Sequence, residues 1–547
     1  MWRVEVEVSR AGALIEAVLE VKLSHDFPLS LPVLTVSRSS VRGLGYPLNV
    51  NTEGVVCIAD DAATTTNPEA PGQLVKACVQ RAVHILERDP GGDEADYSAE
   101  FIAYWEGRYP GEPEVDKRVL SLADDMSTPA KATYVKLLGR LGPFTAVIYD
   151  EPARFAELVP TLEAKGLRYK EVPTFHLGEL DLACPPFRIT NQDVVQLVEQ
   201  LELGEAFERY LRANAEQPTV TFSKRVAERH LIFGWRHVPL VAGRSGRYQT
   251  RKPSAKLRPQ HYLQQHGRAH VERFSPQVIT QTRLARRTAA DYPASQVGSR
   301  KLLVAGLGSV GSQLTGLLAA LDWDEMRLVD PDVMAVENLN RHLLGISWVG
   351  WYKVDGLRAL LLDKRPSGKV QVKPSGLVQT ATHDPAFFND CDYLICCTGD
   401  ANAESWLDAA QQAGELTAPV FYLWVEPYLA GGHCLFLTGR DGARRQDLFE
   451  AHVYKHNVIA RAEHERRGFT LKEAGCQTSY TPFANTPLML FLTRLFPELA
   501  LILQQRDHPS CRFTWTGDLA SIEAMGIAAS DEARALGSFG LVKVTLP

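Results

Sequence analysis

A glycine-rich turn between an apolar strand and a helix constrains this chain more than any other feature. The apolar run 302–305 favours a buried strand. Three glycines follow it: Gly306, Gly308 and Gly311. A helical stretch and a second apolar run, 326–329, come next, and that run ends in Asp330, roughly 20 residues beyond the turn. This order predicts one βαβ half of a nucleotide-binding fold.

Polar residues after Asp330 decide between two kinds of nucleotide site. A dehydrogenase uses the same glycine turn, with an acid on a ribose hydroxyl. Here four further polar residues follow along the chain: Asn338, Arg341, Lys353 and, after the apolar strand 393–397, Asp400. Two cations and a carboxylate around a glycine turn suit a magnesium-bound triphosphate better than a nicotinamide. The pattern therefore predicts a nucleoside triphosphate with bound Mg²⁺ as the ligand, and the family resemblance that follows implies that this triphosphate is ATP.

In order and spacing, residues 270–500 resemble the adenylating enzymes of the ubiquitin-activating (E1) and sulfur-carrier-activating (ThiF) superfamily. The resemblance implies that Asp330 holds the ribose and that Asp400 binds magnesium. It assigns the phosphates to three side chains: Asn338, Arg341 and Lys353. Adenylation brings two anions together, a carboxylate and the α-phosphate, so fixed cations and a metal must offset their repulsion. Arg341 is accordingly expected to support catalysis as well as binding.

Three arginines precede the first strand of this region: Arg283, Arg286 and Arg287. One of them could reach a triphosphate, in the same subunit or in a partner. The alternative is that all three are surface arginines on a helix.

The N-terminal region carries a second chemical motif, around Cys57. Residues 2–36 alternate between apolar and polar positions, which predicts strands. A polar, extended segment containing Asn49 follows, and Gly54 precedes Cys57 closely. A helix with one apolar side is expected at 73–87.

This arrangement resembles the ubiquitin-conjugating (E2) enzymes, whose catalytic loop runs from HPN through a short turn with glycine to the active cysteine. Pro47 and Leu48 stand where the family has His and Pro. The resemblance implies that Cys57 carries an acyl group as a thioester, formed by its thiolate. Asn49 would donate a hydrogen bond to the carbonyl oxygen when an amine attacks. The alternative is that Cys57 is a half-buried strand cysteine.

A second cysteine is a candidate acceptor for the activated group. Cys476 follows a glycine in a loop rich in Thr, Ser and Pro, which favours exposure. Its place after the Asp400 strand is similar to that of the thioester cysteine in activating enzymes. Cys511, which follows the turn sequence HPS, is the rival. A third possibility is that Cys57 takes the acyl group directly.

Composition narrows the range of functions. Hydrophobic residues make up 45% and charged residues 23%, as in ordinary globular domains. A net charge of −6 argues against general binding to nucleic acid or to anionic membranes. The nine cysteines form no CxxC pair, so a reducing cytoplasm is expected rather than a disulfide framework or a zinc site. No signal peptide and no membrane span are expected.

These features predict an α/β multidomain protein. Residues 1–108 are expected to form an α+β E2-like conjugating domain, residues 109–265 an α/β linker module, and residues 266–547 a Rossmann-like ThiF/E1 adenylation domain with the catalytic-cysteine loop. A short helix at 96–106 is expected to dock the tail of the first domain through its aromatic residues. Further helices are predicted at three places: 128–141, 274–299 and 446–468.

An E2-like domain followed by an E1-like domain resembles the bacterial E2–E1 fusion proteins of cyclic-oligonucleotide antiphage (CBASS) operons. The resemblance implies a homodimer that activates the C-terminal tail of a cGAS-like nucleotidyltransferase and ligates it to amines on other proteins. A true ubiquitin-like modifier could be the substrate instead. Two other classes of protein stay open. One is a sulfur-carrier adenylase with an unrelated N-terminal domain, and the other is a nucleotide-sensing protein whose Rossmann domain no longer catalyses a reaction.

Overall fold

The computed structural model describes the chain apart from residues 11, 45–46, 52, 60–66, 89–93, 108–112, 124–125, 183–188, 215–217, 238–266, 281–299, 367, 451–452, 467, 470, 473–478, 481 and 506. Its contacts divide the chain into two compact units. The first comprises residues 1–156 and 165–283, and the second comprises residues 157–164 and 284–547.

The N-terminal part of the first unit is a three-stranded antiparallel sheet with a helix on one face. Its strands are Trp2–Arg10, Ala13–Lys22 and Val33–Val36, and its helices are Arg38–Gly43 and Pro71–Glu87. Ala82 and Leu86 of the longer helix are buried against strand residues such as Leu19 and Val36. The strands and the helix predicted from the alternating pattern are confirmed.

The rest of the first unit contains two further sheets. The five-stranded sheet has the order Gln277–Val278, Val119–Ser121, Phe144–Tyr149, Thr133–Leu141, Arg168–Val172. The four-stranded sheet has the order Glu272–Phe274, Arg229–Arg236, Thr219–Val226, Thr174–Glu179. The helices of this region are Glu94–Trp105, Asn191–Gln200 and Gly204–Ala213, and the helix Pro152–Ala164 begins in the first unit and continues in the second.

The helix Glu94–Trp105 docks into the core beside the four-stranded sheet. Phe101 and Trp105 are buried there among Phe222 and Phe233. The Trp105 indole N–H donates to the carbonyl oxygen of Phe274 at 3.1 Å. The docking role predicted for this helix is confirmed.

Three predicted helices are wrong in whole or in part. Residues 133–141 form a strand, because they lie between two others, Phe144–Tyr149 and Arg168–Val172, and pair with both. Residues 272–274 and 277–278 are strands, and 281–299 lie outside the described residues. Within 446–468, the described part contains one α-helix, Arg461–Arg466, and two short strands, Phe449–Glu450 and Val453–Tyr454.

The second unit is built on an eight-stranded sheet, five strands parallel and three antiparallel. Its order is Lys369–Lys373, Glu325–Val329, Lys301–Ala305, Tyr393–Cys396, Val420–Val425, Gly431–Leu437, Cys511–Thr516, Leu541–Thr545. Its helices are Ser309–Leu318, Lys353–Lys364, Leu377–His383, Pro385–Asn389, Ala401–Gln412, Arg461–Arg466, Asn485–Gln504, Leu519–Ala524 and Asp531–Leu536. The pair Leu471–Lys472 and Ser479–Tyr480 forms a small antiparallel ladder.

Successive residues of the central strand Lys301–Ala305 face two different cores. Leu302 and Val304 belong to one core, and Leu303 and Ala305 belong to the other. A strand covered on both faces must be apolar throughout, which explains its continuous run of buried residues. The chain moves from this strand to one side of the sheet and then to the other, so the carboxyl ends of Lys301–Ala305 and Tyr393–Cys396 flank the topological switch point. Ligand sites of such sheets lie there.

The helix Asn485–Gln504 is long and apolar enough to cross a membrane by length and composition. In the structure it packs within the domain, where Leu488, Phe491 and Leu495 are buried in the same core as Leu302. Its apolar side is thus accounted for by core packing.

Replacing Gly311 with Ala is expected to destabilise the second unit. A Cβ at this position would lie 1.9 Å from the carbonyl oxygen of Gly306, so the backbone of the loop or helix would have to move. We expect a loss of about 1–3 kcal/mol in the free energy of unfolding, measured by chemical denaturation. Gly376→Ala is the control, because a Cβ there meets nothing within 4 Å. Equal stability of the two variants would contradict the packing described.

Candidate active sites

The glycine turn brings two loops into direct contact. Gly306 has φ of +82°, which favours glycine, and a Cβ there would lie 2.6 Å from the backbone nitrogen of Thr398. Gly308 precedes the helix Ser309–Leu318 at its N-cap position, and a Cβ on it would meet nothing within 4 Å. The loop after Lys301–Ala305 therefore packs tightly on one side and leaves the helix N-terminus open.

Two side chains hold the peptide groups of Leu307 in the middle of this turn. Asp330 accepts from the Leu307 N–H at 2.5 Å, and its other oxygen accepts from the Asp332 N–H at 2.8 Å. His342 donates from Nε2 to the Leu307 carbonyl at 2.8 Å, while its Nδ1 accepts from the Leu344 N–H at 3.0 Å. These partners require the neutral imidazole, and burial lowers the pKa of His342 accordingly.

Asp330 is buried, and burial raises the pKa of its carboxyl group. Both of its oxygens bind backbone N–H groups, so its first role in the structure is to fix the turn. The ribose contact implied by the family resemblance remains a prediction. Asp332, which the sequence reasoning overlooked, is the exposed acid at this strand end. The sequence DPD at residues 330–332 could have indicated it, because it places a second acid two residues after Asp330.

Asp332 pairs with Lys353, the predicted phosphate-binding lysine. The Lys353 ammonium lies 2.7 Å from the Asp332 carboxylate, and the Lys353 side chain is only 7% exposed. The backbone N–H of Lys353 also donates to the Asp332 carbonyl at 3.0 Å. Lys353 is therefore held at the first residue of its helix, with its charge directed to this strand end.

Asn338 and Arg341 come from the short 3₁₀ turn Val336–Asn338 and the segment that follows it. The Asn338 side-chain oxygen accepts from the Ala335 N–H at 3.0 Å, and its backbone carbonyl accepts from the Arg341 N–H at 2.9 Å. The Arg341 guanidinium is half-exposed and lies over the ring of Phe483. Among the described residues it has no carboxylate partner.

Asp400 is exposed and caps the helix Ala401–Gln412. Its Oδ1 accepts from the N–H groups of Asn402 at 2.9 Å and Ala403 at 3.3 Å. The residue sits at the carboxyl end of its strand, two positions beyond Thr398, which packs against Gly306. One carboxylate oxygen is thus left for a ligand at the switch point.

Cys57 is exposed and lies at the end of a tightly packed loop. Its backbone N–H donates to the Asn49 carbonyl at 2.7 Å, so the predicted thioester cysteine and the predicted donor are adjacent. Asn49 itself has φ of +60°, in the left-handed region. Gly54 has φ of +87°, and a Cβ there would lie 1.9 Å from the Val36 carbonyl, which explains the glycine.

A cavity of about 760 Å³ opens beside Cys57 and Asn49. Apolar residues such as Pro32 and Ile58 line it together with Glu100 and Tyr104 from the docked helix. The Glu100 carboxylate accepts from the Asn49 N–H at 3.3 Å and from the Tyr104 hydroxyl at 3.0 Å. The sequence reasoning assigned no chemistry to this helix, and no local motif would have placed Glu100 here.

The departure from HPN has a packing explanation. Pro47 and Leu48 are both buried, and Leu48 belongs to the aromatic core around Trp105. An apolar pair therefore replaces His-Pro where the loop is covered by the neighbouring core.

Of the two cysteines that the sequence offers as acceptor in the ThiF region, the structure describes one. Cys476 lies outside the described residues, between two short strands that pair through Leu471 with Tyr480 and Lys472 with Ser479. Cys511 begins the strand Cys511–Thr516 and is fully buried, and burial raises the pKa of its thiol to about 12. This weighs against the rival assignment to Cys511, because so little thiolate forms near neutral pH. The three arginines at 283–287 also lie outside the described residues.

Two family models match separate segments of the chain. Residues 284–426 match the ThiF family, and residues 2–110 match Prokaryotic E2 family B. The chain joins an E2 domain to a ThiF domain. The E2–E1 fusion and the α/β fold class predicted from the sequence are thereby confirmed, and both candidate sites fall inside the matched residues.

Solved structures with some similarity share little sequence with this fusion. PaaA is 14% identical over 46% of this chain and 64% of its own, with a TM-score of 0.32. Escherichia coli MccB, solved with AMPCPP and MccA, is 14% identical over 45% of this chain and 63% of its own, with a TM-score of 0.31. The fusion thus spans less than two thirds of either. The E. coli tRNA N6-threonylcarbamoyladenosine dehydratase TcdA is 18% identical over 26% of this chain and 58% of its own, with a TM-score of 0.22. No curated protein matches the chain.

Alkylation of the native fusion should separate Cys57 from the buried thiols. Iodoacetamide near neutral pH is expected to modify Cys57 within minutes and to leave Cys434 and Cys511 unmodified, because only an accessible thiolate reacts. Peptide mass spectrometry gives the site of modification, and denatured protein is the control in which all three react. Equal labelling of Cys57 and Cys511 in the native protein would contradict the burial described.

Proposed function

We propose that this E2–ThiF fusion uses ATP to activate the C-terminal carboxylate of a protein and ligates that carboxylate to an amine. The observation that supports it most is the presence of two complementary sites in one chain. One is an exposed cysteine, Cys57, beside Asn49 in an E2-family cavity. The other is a ThiF-family strand end with Lys353, Arg341 and Asp400 around a glycine turn.

The residues present suit a nucleoside triphosphate. The open N-terminus of the helix Ser309–Leu318 offers backbone N–H groups to a phosphate, and no side chain at Gly308 obstructs it. Lys353 and Arg341 would neutralise phosphate charge, and Asn338 would donate a hydrogen bond to a phosphate oxygen, as the substrate carboxylate attacks the α-phosphorus and pyrophosphate leaves. The attacking group is already an anion, so no side-chain base is required.

Magnesium suits the single carboxylate oxygen that Asp400 leaves available. Mg²⁺ is commonly held by one or two carboxylates together with phosphates and waters, and not by a cage of protein ligands. Among the described residues no cluster of three or more acidic, histidine or cysteine ligands exists, which agrees with that kind of site. When bound, the ion would neutralise phosphate charge during adenylation.

Acyl transfer would then proceed through two thioesters. The Cys476 thiolate attacks the acyl-adenylate and AMP leaves. The Cys57 thiolate takes the acyl group from Cys476 by exchange. A lysine amine finally attacks the Cys57 thioester, the C–S bond breaks and an amide forms, with Asn49 donating to the carbonyl oxygen.

The substrate we favour is the tail of a cGAS-like nucleotidyltransferase, in cytoplasmic antiphage defence of the CBASS type. This follows from the order of the two domains, as in the fusion proteins that the sequence resembles. A true ubiquitin-like modifier is the second candidate. For the homodimer that the resemblance implies, Ile346 and Trp351 of the ThiF domain are suitable interface residues, being large, apolar and exposed.

Arg341→Ala should lower pyrophosphate exchange by roughly 10²- to 10³-fold. Losing one preorganised charged contact to a developing anion has a cost of this size. The exchange of labelled pyrophosphate into ATP is measured with the nucleotidyltransferase tail as the carboxylate. Arg440→Ala, an exposed arginine away from the site, should exchange like the parent protein. Equal rates for the two variants would exclude Arg341 from adenylation.

Conjugation should depend on Cys57. The protein is incubated with ATP, Mg²⁺ and either candidate substrate, and the products are separated on non-reducing gels. We expect the parent protein to form an adduct on Cys57 that thiols cleave. The Cys57→Ala variant should form no adduct at residue 57 but should still exchange pyrophosphate. Conjugates formed at the parental rate by Cys57→Ala would refute the E2 assignment. A thiocarboxylate product insensitive to Cys57→Ala would indicate a sulfur-carrier adenylase.

A further inference from the structure

Arg341 is oriented by an aromatic ring in place of an acid. Its guanidinium carbon lies 5.1 Å from the centroid of the Phe483 ring and over its face. In the part of the chain that the structure describes, no carboxylate pairs with it. The neighbouring cation, Lys353, shows the other arrangement, with the Asp332 carboxylate at 2.7 Å.

We propose that Phe483 is a positioning residue for Arg341 and, through it, for the phosphates beyond the α-phosphate of ATP. The proposal rests on the phosphate-binding role of Arg341 in the proposed function. An aromatic face attracts a guanidinium through its quadrupole and so limits its orientations. Unlike a carboxylate, the ring adds no negative charge. The N–H groups at the edge of the guanidinium stay available for phosphate oxygens.

Phe483 is itself held by a backbone hydrogen bond at the preceding residue and by packing of its ring. The carbonyl of the preceding residue, Pro482, accepts from the Tyr428 N–H at 2.7 Å. Tyr428 and Leu429 have φ of +58° and +53°, a left-handed conformation that non-glycine residues seldom adopt. The Phe483 ring is partly buried against the core that contains Leu302. The ring can therefore serve as a fixed surface for Arg341.

The same contact connects the phosphate site to the cysteine segment. Phe483 lies between the short strand Ser479–Tyr480 and the helix Asn485–Gln504, and Cys476 precedes that strand in the chain. The stretch that carries the predicted thioester cysteine thus contributes the residue that orients the predicted phosphate-binding arginine. Adenylation and acyl transfer would share this segment.

The nucleotide itself supplies a selective test. If Phe483 acts through Arg341 on the outer phosphates, its loss should weaken binding of Mg·ATP and leave binding of AMP unchanged. We expect Phe483→Leu to weaken Mg·ATP binding roughly five- to ten-fold, the scale of one cation–π contact. Phe483→Tyr keeps the ring and should bind both nucleotides like the parent protein. Titration calorimetry on the full chain measures both affinities without the protein substrate.

Two comparisons separate positioning from packing. Phe496→Leu removes another phenylalanine that is partly buried against the same core, and it should leave both affinities unchanged. Phe483→Leu added to Arg341→Ala should cause no further loss of Mg·ATP affinity, because the ring would then have no guanidinium to orient.

Three outcomes would overturn the proposal: unchanged Mg·ATP affinity in Phe483→Leu, an equal loss for AMP, or a loss that adds fully to that of Arg341→Ala. Failure of the proposed function looks different. In that case either Arg341→Ala binds Mg·ATP like the parent protein, or the parent protein binds neither nucleotide. Either result would also exclude a positioning role for Phe483.

Discussion

The close approach of Gly306 to Thr398 is the constraint on which the rest of the ThiF domain depends. It makes one continuous surface from loops that follow two neighbouring parallel strands, and only a residue without a side chain permits it. Asp330 and His342 then hold the two peptide groups of Leu307, one by accepting from its N–H and the other by donating to its carbonyl. A turn fixed in this way offers its backbone to a nucleotide without first having to be ordered, and ordering a backbone residue costs about 1–2 kcal/mol.

The acidic residues around this turn and the cation Arg341 differ in the partners that hold them. Asp330 binds backbone groups, Asp332 holds Lys353, and Asp400 caps a helix with one oxygen. Each acid thus has a structural partner in the protein before any ligand arrives. Arg341 differs because an uncharged ring holds it. The site therefore contains a cation whose charge is not already offset, which is what a triphosphate requires.

The sequence pattern was sufficient to predict features that depend only on residues close together in the chain. The apolar strand 302–305, the glycine turn and the polar residues up to Asp400 were predicted from the pattern of a buried parallel strand and its ligand-binding end. The strand Thr133–Leu141 was predicted as a helix because its Lys, Leu and Arg residues favour helices, and pairing on both edges overrides that preference. Glu100 reaches the Cys57 cavity only through tertiary docking of its helix, which no spacing in the sequence encodes.

The helix Glu94–Trp105 takes part in both the cavity and the core beside it. Glu100 and Tyr104 form part of the wall beside Cys57, while Phe101 and Trp105 are buried in the aromatic core of the following module. The E2 domain is consequently not structurally independent, because one wall of the cavity beside Cys57 is held in place by residues far along the chain. Evolutionary exchange of this domain between fusions would have to carry the adjoining module with it, or rebuild that wall.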